Sequence, residues 1–277
     1  MARILCRCFP WAALTVLLLM TPACQTALEP VTGRKQFILT SFEAEHRAGE
    51  QAWETLLEKQ KLSESEPKRR AVERVGRALA STVHAPRFEW EFRTFASEKA
   101  NAFCLPGGKI GVYGGLFDYV ENDAQLATVV AHEIAHAVAR HGGERMTRAM
   151  MLEIGQMGVA YAIKDKSDLA RERWLAAYAG ISTVGFVLPY SRMQEYAADE
   201  IGLMYMARAG YSPDAAVAFW KRFSKAEGGA NSPLSEFLST HPVGEKRIER
   251  LRSLLPRARK EYAKVLHQRG NGRKYAF

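Results

Sequence analysis

His132-Glu133-Ile134-Ala135-His136 constrains this chain more than any other stretch. On an α-helix, residues four apart share a face and lie about 6 Å apart along the axis. Two imidazoles on that spacing can grip one small ion from the same side. Zinc is the usual choice when a carboxylate completes the set. Glu133 stands beside the first imidazole, where it can take a proton from a water at the open position. An ordinary amphipathic helix could carry the pattern by accident. The neighbours argue otherwise. Leu126, Val129, Val130, Ile134, Ala137 and Val138 make the stretch apolar enough for burial. A buried helix that carries two histidines and a glutamate needs partners for them.

The first residues read as an address. Arg3 and Arg7 precede an apolar run from Phe9 to Met20, and Thr21-Pro22-Ala23 leads to Cys24. This is the layout of a secretory signal over residues 1–23, too short for an ordinary transmembrane helix. Ala23-Cys24 also resembles the bacterial lipoprotein cleavage box, with Thr21 where that box usually carries Leu. Plain secretion and an uncleaved anchor are the other readings. The layout predicts a lipidated N-terminus and tether over 24–40, and one folded domain over 41–277. Of the four cysteines, Cys6 and Cys8 leave with the signal and Cys24 carries lipid, so Cys104 has no partner for an intrachain disulfide. The expectation is a lipid-anchored protein on the periplasmic side of the cell envelope. Gln25 after Cys24 favours the outer membrane, although the sequence leaves inner and outer open.

Removing Arg3 and Arg7 with the expected signal takes the formal net charge from +9 to +7, which suits contact with anionic membrane surfaces. Nucleic acid is not expected as a partner, because the basic residues are scattered and no nucleic-acid motif accompanies them.

Along the chain, Ser41 is placed to cap a helix running to about Gln60, and Ser65-Glu66-Pro67 to start a second. Phe88 to Arg93 alternates apolar and charged, the period of a half-buried strand. Asn101-Ala102-Phe103-Cys104-Leu105 and Lys109 to Tyr113 flank Pro106-Gly107-Gly108, which predicts a β-hairpin. It is either a plain structural hairpin or an exposed edge on which an extended peptide can pair. Asn122 or Asp123 caps the motif helix, and Gly142-Gly143 is expected to end it. His141, nine residues beyond His132, falls off the ligand face and reads as a cation or cap at the helix C-terminus. Residues 146–163 and 174–189 are apolar. They are read as packing over the core or touching lipid, with a membrane span for the second run as the lesser reading.

Ser191 opens a further helix in which Glu195 and Asp199, four apart, share a face. They are either a solvated acidic face or a carboxylate that completes a two-His, one-Glu site with a neighbour to orient a ligand. A helix begins at Ser212-Pro213-Asp214 and a polar loop spans Gly228 to Ser239. Helices are expected over about 244–255 and 257–268, with a frayed tail from Arg269.

The motifs together resemble the zinc endopeptidase family of the CAAX prenyl proteases. HEIAH is followed 63 residues after His132 by Glu195-Tyr196-Ala197-Ala198-Asp199. Asn101-Ala102-Phe103 with Leu105-Pro106-Gly107-Gly108 looks like that family's edge-strand motif. Ser239-Thr240-His241-Pro242, with Arg247 beyond, looks like its C-terminal motif. The resemblance covers roughly residues 41–255. It is closest to two soluble-domain branches, one of bacterial periplasmic lipoproteins and one containing the mitochondrial inner-membrane overlapping-activity protease. It implies a mostly helical α+β zincin-type metallopeptidase domain with a small sheet and an edge hairpin. It implies one zinc per chain on His132, His136 and Glu195, with Glu133 as general base. Asp199 and Arg247 support that set, and His241 lies near the metal.

The function expected from this reading is zinc-dependent cleavage of misfolded or membrane-associated proteins in the cell envelope. His241 is the candidate donor to a developing oxyanion. It can equally be a fourth ligand that keeps the enzyme latent, or a plain loop residue. The other function kept open is a chaperone-like or scaffold lipoprotein that assists the outer-membrane assembly machinery and rarely cleaves.

Overall fold

The computed structural model describes residues 26–28, 32–85, 87–170, 190–226 and 232–276. The expected signal, Cys24, the apolar run 174–189 and part of the 228–239 loop lie outside them. Two short strands, β1 (Thr26–Leu28) and β2 (Lys35–Phe37), pair antiparallel. Residues 35–40, read as tether, pack onto the domain. Gln36 and Ile38 are buried, and the Gln36 amide donates to Ala139 O.

Helices α1 (Phe42–Lys59) and α2 (Glu66–Ala80) follow. Ser41 caps α1 by accepting from the Ala44 N–H. Val72, Val75 and Leu79 line the buried face of α2. Strands β3 (Glu91–Phe95), β4 (Ala102–Leu105) and β5 (Lys109–Tyr113) form a sheet in the order β3-β5-β4. β3 runs parallel to β5, and β4 runs antiparallel to it as the expected hairpin. The expected strand at Phe88 begins three residues later. Phe88 and Trp90 instead stack on each other, with ring centroids 4.9 Å apart. Gly107 and Gly108 turn the hairpin at φ of 90° and 96°. A side chain there would meet His46 on one side and Trp90 on the other.

The motif helix α3 (Asp123–Val138) is buried on every face from Asp123 to His136. A helix apolar all round belongs at the centre of a domain. It packs against α2, β4, α5 (Arg192–Arg208) and α6 (Asp214–Phe223). α3 does not end at Gly142-Gly143. It ends at Ala139, and Arg140 reverses the chain in the left-handed region at φ 52°. α4 (His141–Ala162) starts at once, with both glycines in its first turn. A Cβ on Gly143 would fall 2.3 Å from Glu45 Oε1, so close approach rather than helix termination explains that glycine.

Beyond its first two turns, α4 leaves Met150, Met151, Ile154, Met157 and Tyr161 exposed, so this part of the 146–163 run does not cover the core. No described helix is long and apolar enough to cross a membrane. Ser235 to Ser239 of the expected polar loop belongs to a short helix, α7 (Ser235–Thr240), with His241 as its C-cap. The two helices expected near the C-terminus are one, α8 (Glu245–Ala263), which runs through Pro256. Proline removes one N–H and crowds the preceding turn. Leu251 and Leu255 before it and Ala258 after it share a buried face, and that burial carries the helix past. The tail is not frayed. Asp123 N donates to Arg273 O, Ala124 N to Asn271 O and Tyr275 N to Glu121 O, so the tail closes the N-terminus of α3. The result is a mostly helical α+β domain with a small sheet.

Candidate active site

Small residues let α5 lie close against α3. A Cβ on Gly202 would stand 3.0 Å from the backbone of Ala131 and His132. That approach carries Glu195 and Asp199 to the face of α3 that bears His132 and His136. His132 Nε2 and His136 Nε2 are 3.1 Å apart, and Glu195 Oε1 is 3.3 Å from His136 Nε2. The C-cap of α7 adds His241, whose Nδ1 lies 3.2 Å from His132 Nε2 and 3.1 Å from Glu195 Oε1. One ligating atom from each of these four residues lies within 4.8 Å of the others, and all four residues are buried. His241 Nε2 faces Glu133 Oε1 at 3.5 Å.

Arg247 enters from α8. Its Nε and Nη2 donate to the two oxygens of Asp199 at 2.6 and 2.8 Å, and its Nη1 approaches Glu195 Oε2 at 2.7 Å. The guanidinium lies 4.5 Å from the Trp220 ring, which also packs edge-on to His132. Asp199 Oδ1 stands 3.1 Å from His132 Nδ1, so it holds the nitrogen that points away from the cluster.

The electrostatics divide the two motif imidazoles. Burial, the largest influence, pushes His136 down to about 3. Burial also opposes charge on His132, but Glu195 and Asp199 outweigh it and Arg247 together and raise the ring to about 9. Burial works against charge on Glu195 and Asp199 as well, yet Arg247 and His132 hold both below the usual carboxylate range. Glu133 goes the other way, and burial raises it.

A metal ion fits these residues. Three imidazole nitrogens and a carboxylate converge with too few protons to satisfy one another. Glu133 Oε1 and Glu195 Oε2 are buried and make no hydrogen bond; the Glu195 oxygen has only ion-pair contacts, with Arg247 Nη1 at 2.7 Å and His132 Nε2 at 3.4 Å. A buried polar atom left so needs a partner. Two histidines with a carboxylate are zinc donors.

Asn101, Ala102 and Phe103 fall at the start of β4, whose outer edge has no strand partner among the described residues. Their side chains do different things. Asn101 donates to Glu236 Oε1 on α7 at 2.9 Å. Phe103 packs with Trp53, Phe95 and Tyr113 in a small second core. Ala102 and Cys104 pack with the main core instead.

Two residues of the site escaped the sequence reading. His141 is not a cation or cap at the end of α3: it is fully buried at the start of α4, and its Nδ1 lies 2.9 Å from His136 Nδ1. Burial and then His136 and Arg34 push it well below its ordinary value, so it is a neutral imidazole paired with His136. On a continuous helix, nine residues would put it opposite His132. The reversal at Arg140 brings it back, and no spacing rule shows that. Tyr190 lies with its ring 3.9 Å from that of His136 and 5.2 Å from that of His241.

Fold and site together define a zincin-type metallopeptidase domain. The model of peptidase family M48 matches residues 66–255, and the chain belongs to that family, whose metal is zinc. It is 33% identical over 234 residues to the mitochondrial metalloendopeptidase OMA1 of Schizosaccharomyces pombe, covering 83% of this chain and 66% of that protein. It is 31% identical over 245 residues to the mitochondrial metalloendopeptidase OMA1 of Homo sapiens, covering 84% of this chain and 46% of that protein. The beta-barrel assembly-enhancing protease of Escherichia coli K12 is 28% identical over 178 residues, 63% of this chain and 36% of that protein. The chain thus spans between about a third and two thirds of these relatives' length. The mitochondrial naming of the first two, shared by relatives from plant and budding yeast, overturns the expected lipid-anchored place on the periplasmic side of an outer membrane.

Proposed function

We propose that the chain is a zinc-dependent endopeptidase that cuts unfolded protein segments. The observation that carries this reading is the convergence of His132, His136 and Glu195 around one point, with Glu133 beside it. Zinc, when bound there, supplies Lewis-acid chemistry and brings the pKa of a water toward neutrality. Glu133 accepts a proton from the attacking water and passes one to the leaving amine. Its burial suits that task, because burial raises the carboxyl and makes it a stronger proton acceptor than an exposed glutamate. Asp199 and His141 keep the far nitrogens of His132 and His136 in place, and Arg247 holds the Asp199 and Glu195 carboxylates. The free edge of β4 is the surface on which an extended peptide pairs through its backbone.

A second reading has one observation behind it. The His241 nitrogen converges with the other three ligands, where it would exclude water from the open position. A chain resting in that state binds unfolded protein and cuts it rarely, as a chaperone-like protein would. Turnover of an unfolded protein tests both readings. Cleavage should stop on chelation, return with zinc and fall by about 10²–10⁴ in Glu133→Gln. Chelator-insensitive cleavage would exclude the peptidase reading. Tight binding with no zinc-dependent turnover would favour the holding role.

A further inference from the structure

A groove of ≈ 390 Å³ lies between α2 and β3, within the roughly 300–1,000 Å³ of small-molecule sites. No residue of the metal cluster lines it. Phe92, almost fully buried, and Leu62, 38% exposed, give it apolar walls. Arg69, Arg70 and Arg74 of α2 and Arg93 of β3 stand around it, and Glu73 is the one acid among its lining residues.

Most of that charge is already matched. Arg70 pairs with Glu66, Arg74 with Asp123 and Arg93 with Glu91, while Glu73 pairs with Arg77. Arg69 is left over. Its guanidinium has no acidic partner and no hydrogen bond among the described residues.

A second group in the groove is unmatched as well. Thr94 is 2% exposed, and its hydroxyl is buried without a hydrogen-bond partner. A buried hydroxyl is rarely left so, because it has given up water and gained nothing. Side chains alternate along a strand, so Thr94 shares a face with Phe92, whose ring fills the space beside Gly76 of α2. That face is the one on which the groove lies.

An oxygen anion satisfies both groups, since a carboxylate or phosphate accepts from a guanidinium and from a hydroxyl alike. The walls at Leu62 and Phe92 call for a hydrocarbon body behind that head. A bare inorganic anion leaves those walls wet, and a neutral hydrocarbon leaves Arg69 unpaired. We propose that this groove binds one amphipathic anion, a single carboxylate or phosphate head on an alkyl or aromatic body. The proposal stands apart from the peptidase reading, because the groove and the metal cluster share no residue.

The full-length chain is titrated by calorimetry with octyl phosphate, octanoate, octanol and inorganic phosphate, each kept too dilute to form micelles. At least one of the two octyl anions should bind once per chain, about tenfold or more tighter than octanol or inorganic phosphate. Arg69→Gln should weaken that anion about tenfold and leave octanol unchanged. Thr94→Val should weaken it about fivefold. The same substitution should not lower the melting temperature of the free chain, since it removes a hydroxyl that has no partner in the protein. A hydroxyl with a purely structural role would show a drop. Zinc content and cleavage of an unfolded protein should be unchanged in both variants, which keeps failure here distinct from failure at the metal site. Flotation with vesicles of phosphatidate in phosphatidylcholine distinguishes the source of the anion. Flotation that requires Arg69 makes it a membrane lipid, and no flotation with octyl phosphate still bound makes it a free amphiphile; either result upholds the groove. Equal affinity for octanol and the octyl anions, anion binding that survives both substitutions, or no binding at all would overturn the proposal.

Discussion

The two ends of α3 are both buried, charged and cross-linked to distant parts of the chain, yet they differ in one respect. At the N-terminus, Asp123 accepts from Arg74 at 2.6 and 3.2 Å, from the Tyr275 hydroxyl at 2.8 Å and from Arg273 N at 3.1 Å. Asn122 accepts from Gln125 N. An anion at this end also meets the positive pole of the helix. Neither residue is left with a buried side-chain atom lacking a partner. At the other end, three imidazoles and two carboxylates crowd together, and Glu133 Oε1 and Glu195 Oε2 make no hydrogen bond. A satisfied cluster is finished structure. An unsatisfied one, buried at the same depth, is built for something it must bind.

That contrast can be broken by experiment. The largest effect should come from Glu195→Ala. Zinc content should fall from one per chain to near zero, because two histidines alone hold the ion poorly. Arg247 also loses one of its two carboxylates, and breaking a buried pair costs about 3–5 kcal/mol. Full zinc retention, read by elemental analysis, would remove Glu195 from the metal. Next in size is His241→Ala, expected to keep its zinc and lose about 10²–10³ in kcat, the loss seen when an oxyanion donor is removed. A rise in rate would identify the ring as a plug instead.

Asp123→Ala addresses the other end. It should lower stability by about 1–3 kcal/mol through the donors it strands, with one zinc still bound. Loss of zinc in that variant would mean the two ends are not independent. The smallest effect belongs to Tyr275→Phe, about 1 kcal/mol for one hydrogen bond. Its signature is in alkali. Burial and then Asp123 raise the Tyr275 phenol, and they raise that of Tyr211 to about 12. Folded phenols therefore keep their protons where the unfolded ones, near 10, lose theirs. Their stabilising contribution is whole below pH 10 and declines as pH rises above it. The melting temperature of the unmutated chain should fall more steeply above pH 10 than that of Tyr275→Phe.

Legibility in the sequence followed the range of the interaction. Ser41, Asn122 and Ser191 were readable as caps because a cap acts within three residues. His132 with His136, and Glu195 with Asp199, were readable because a helix fixes which residues share a face. The end of α3 was misread because Gly142-Gly143 looked like a stop, whereas Gly143 makes room for Glu45 from α1. The C-terminal tail was misread because its partners, Glu121 and Asp123, are some 150 residues away. Pro256 misled for the same reason, since burial against α5 and α6 outweighs a local rule.

By itself the sequence determined the helices that carry the chemistry, the hairpin, and the residue types able to hold zinc, because periodicity and capping are local physics. Only the tertiary structure decided that α5 lies close enough to α3 for Glu195 to reach His132 and His136. Gly202 permits that contact from a position that no local pattern marks. Only the tertiary structure returned His141 to the site, through a left-handed residue at Arg140. Close approach and chain reversal depend on atoms distant in sequence, and their energies are set by packing that exists only once the chain has folded.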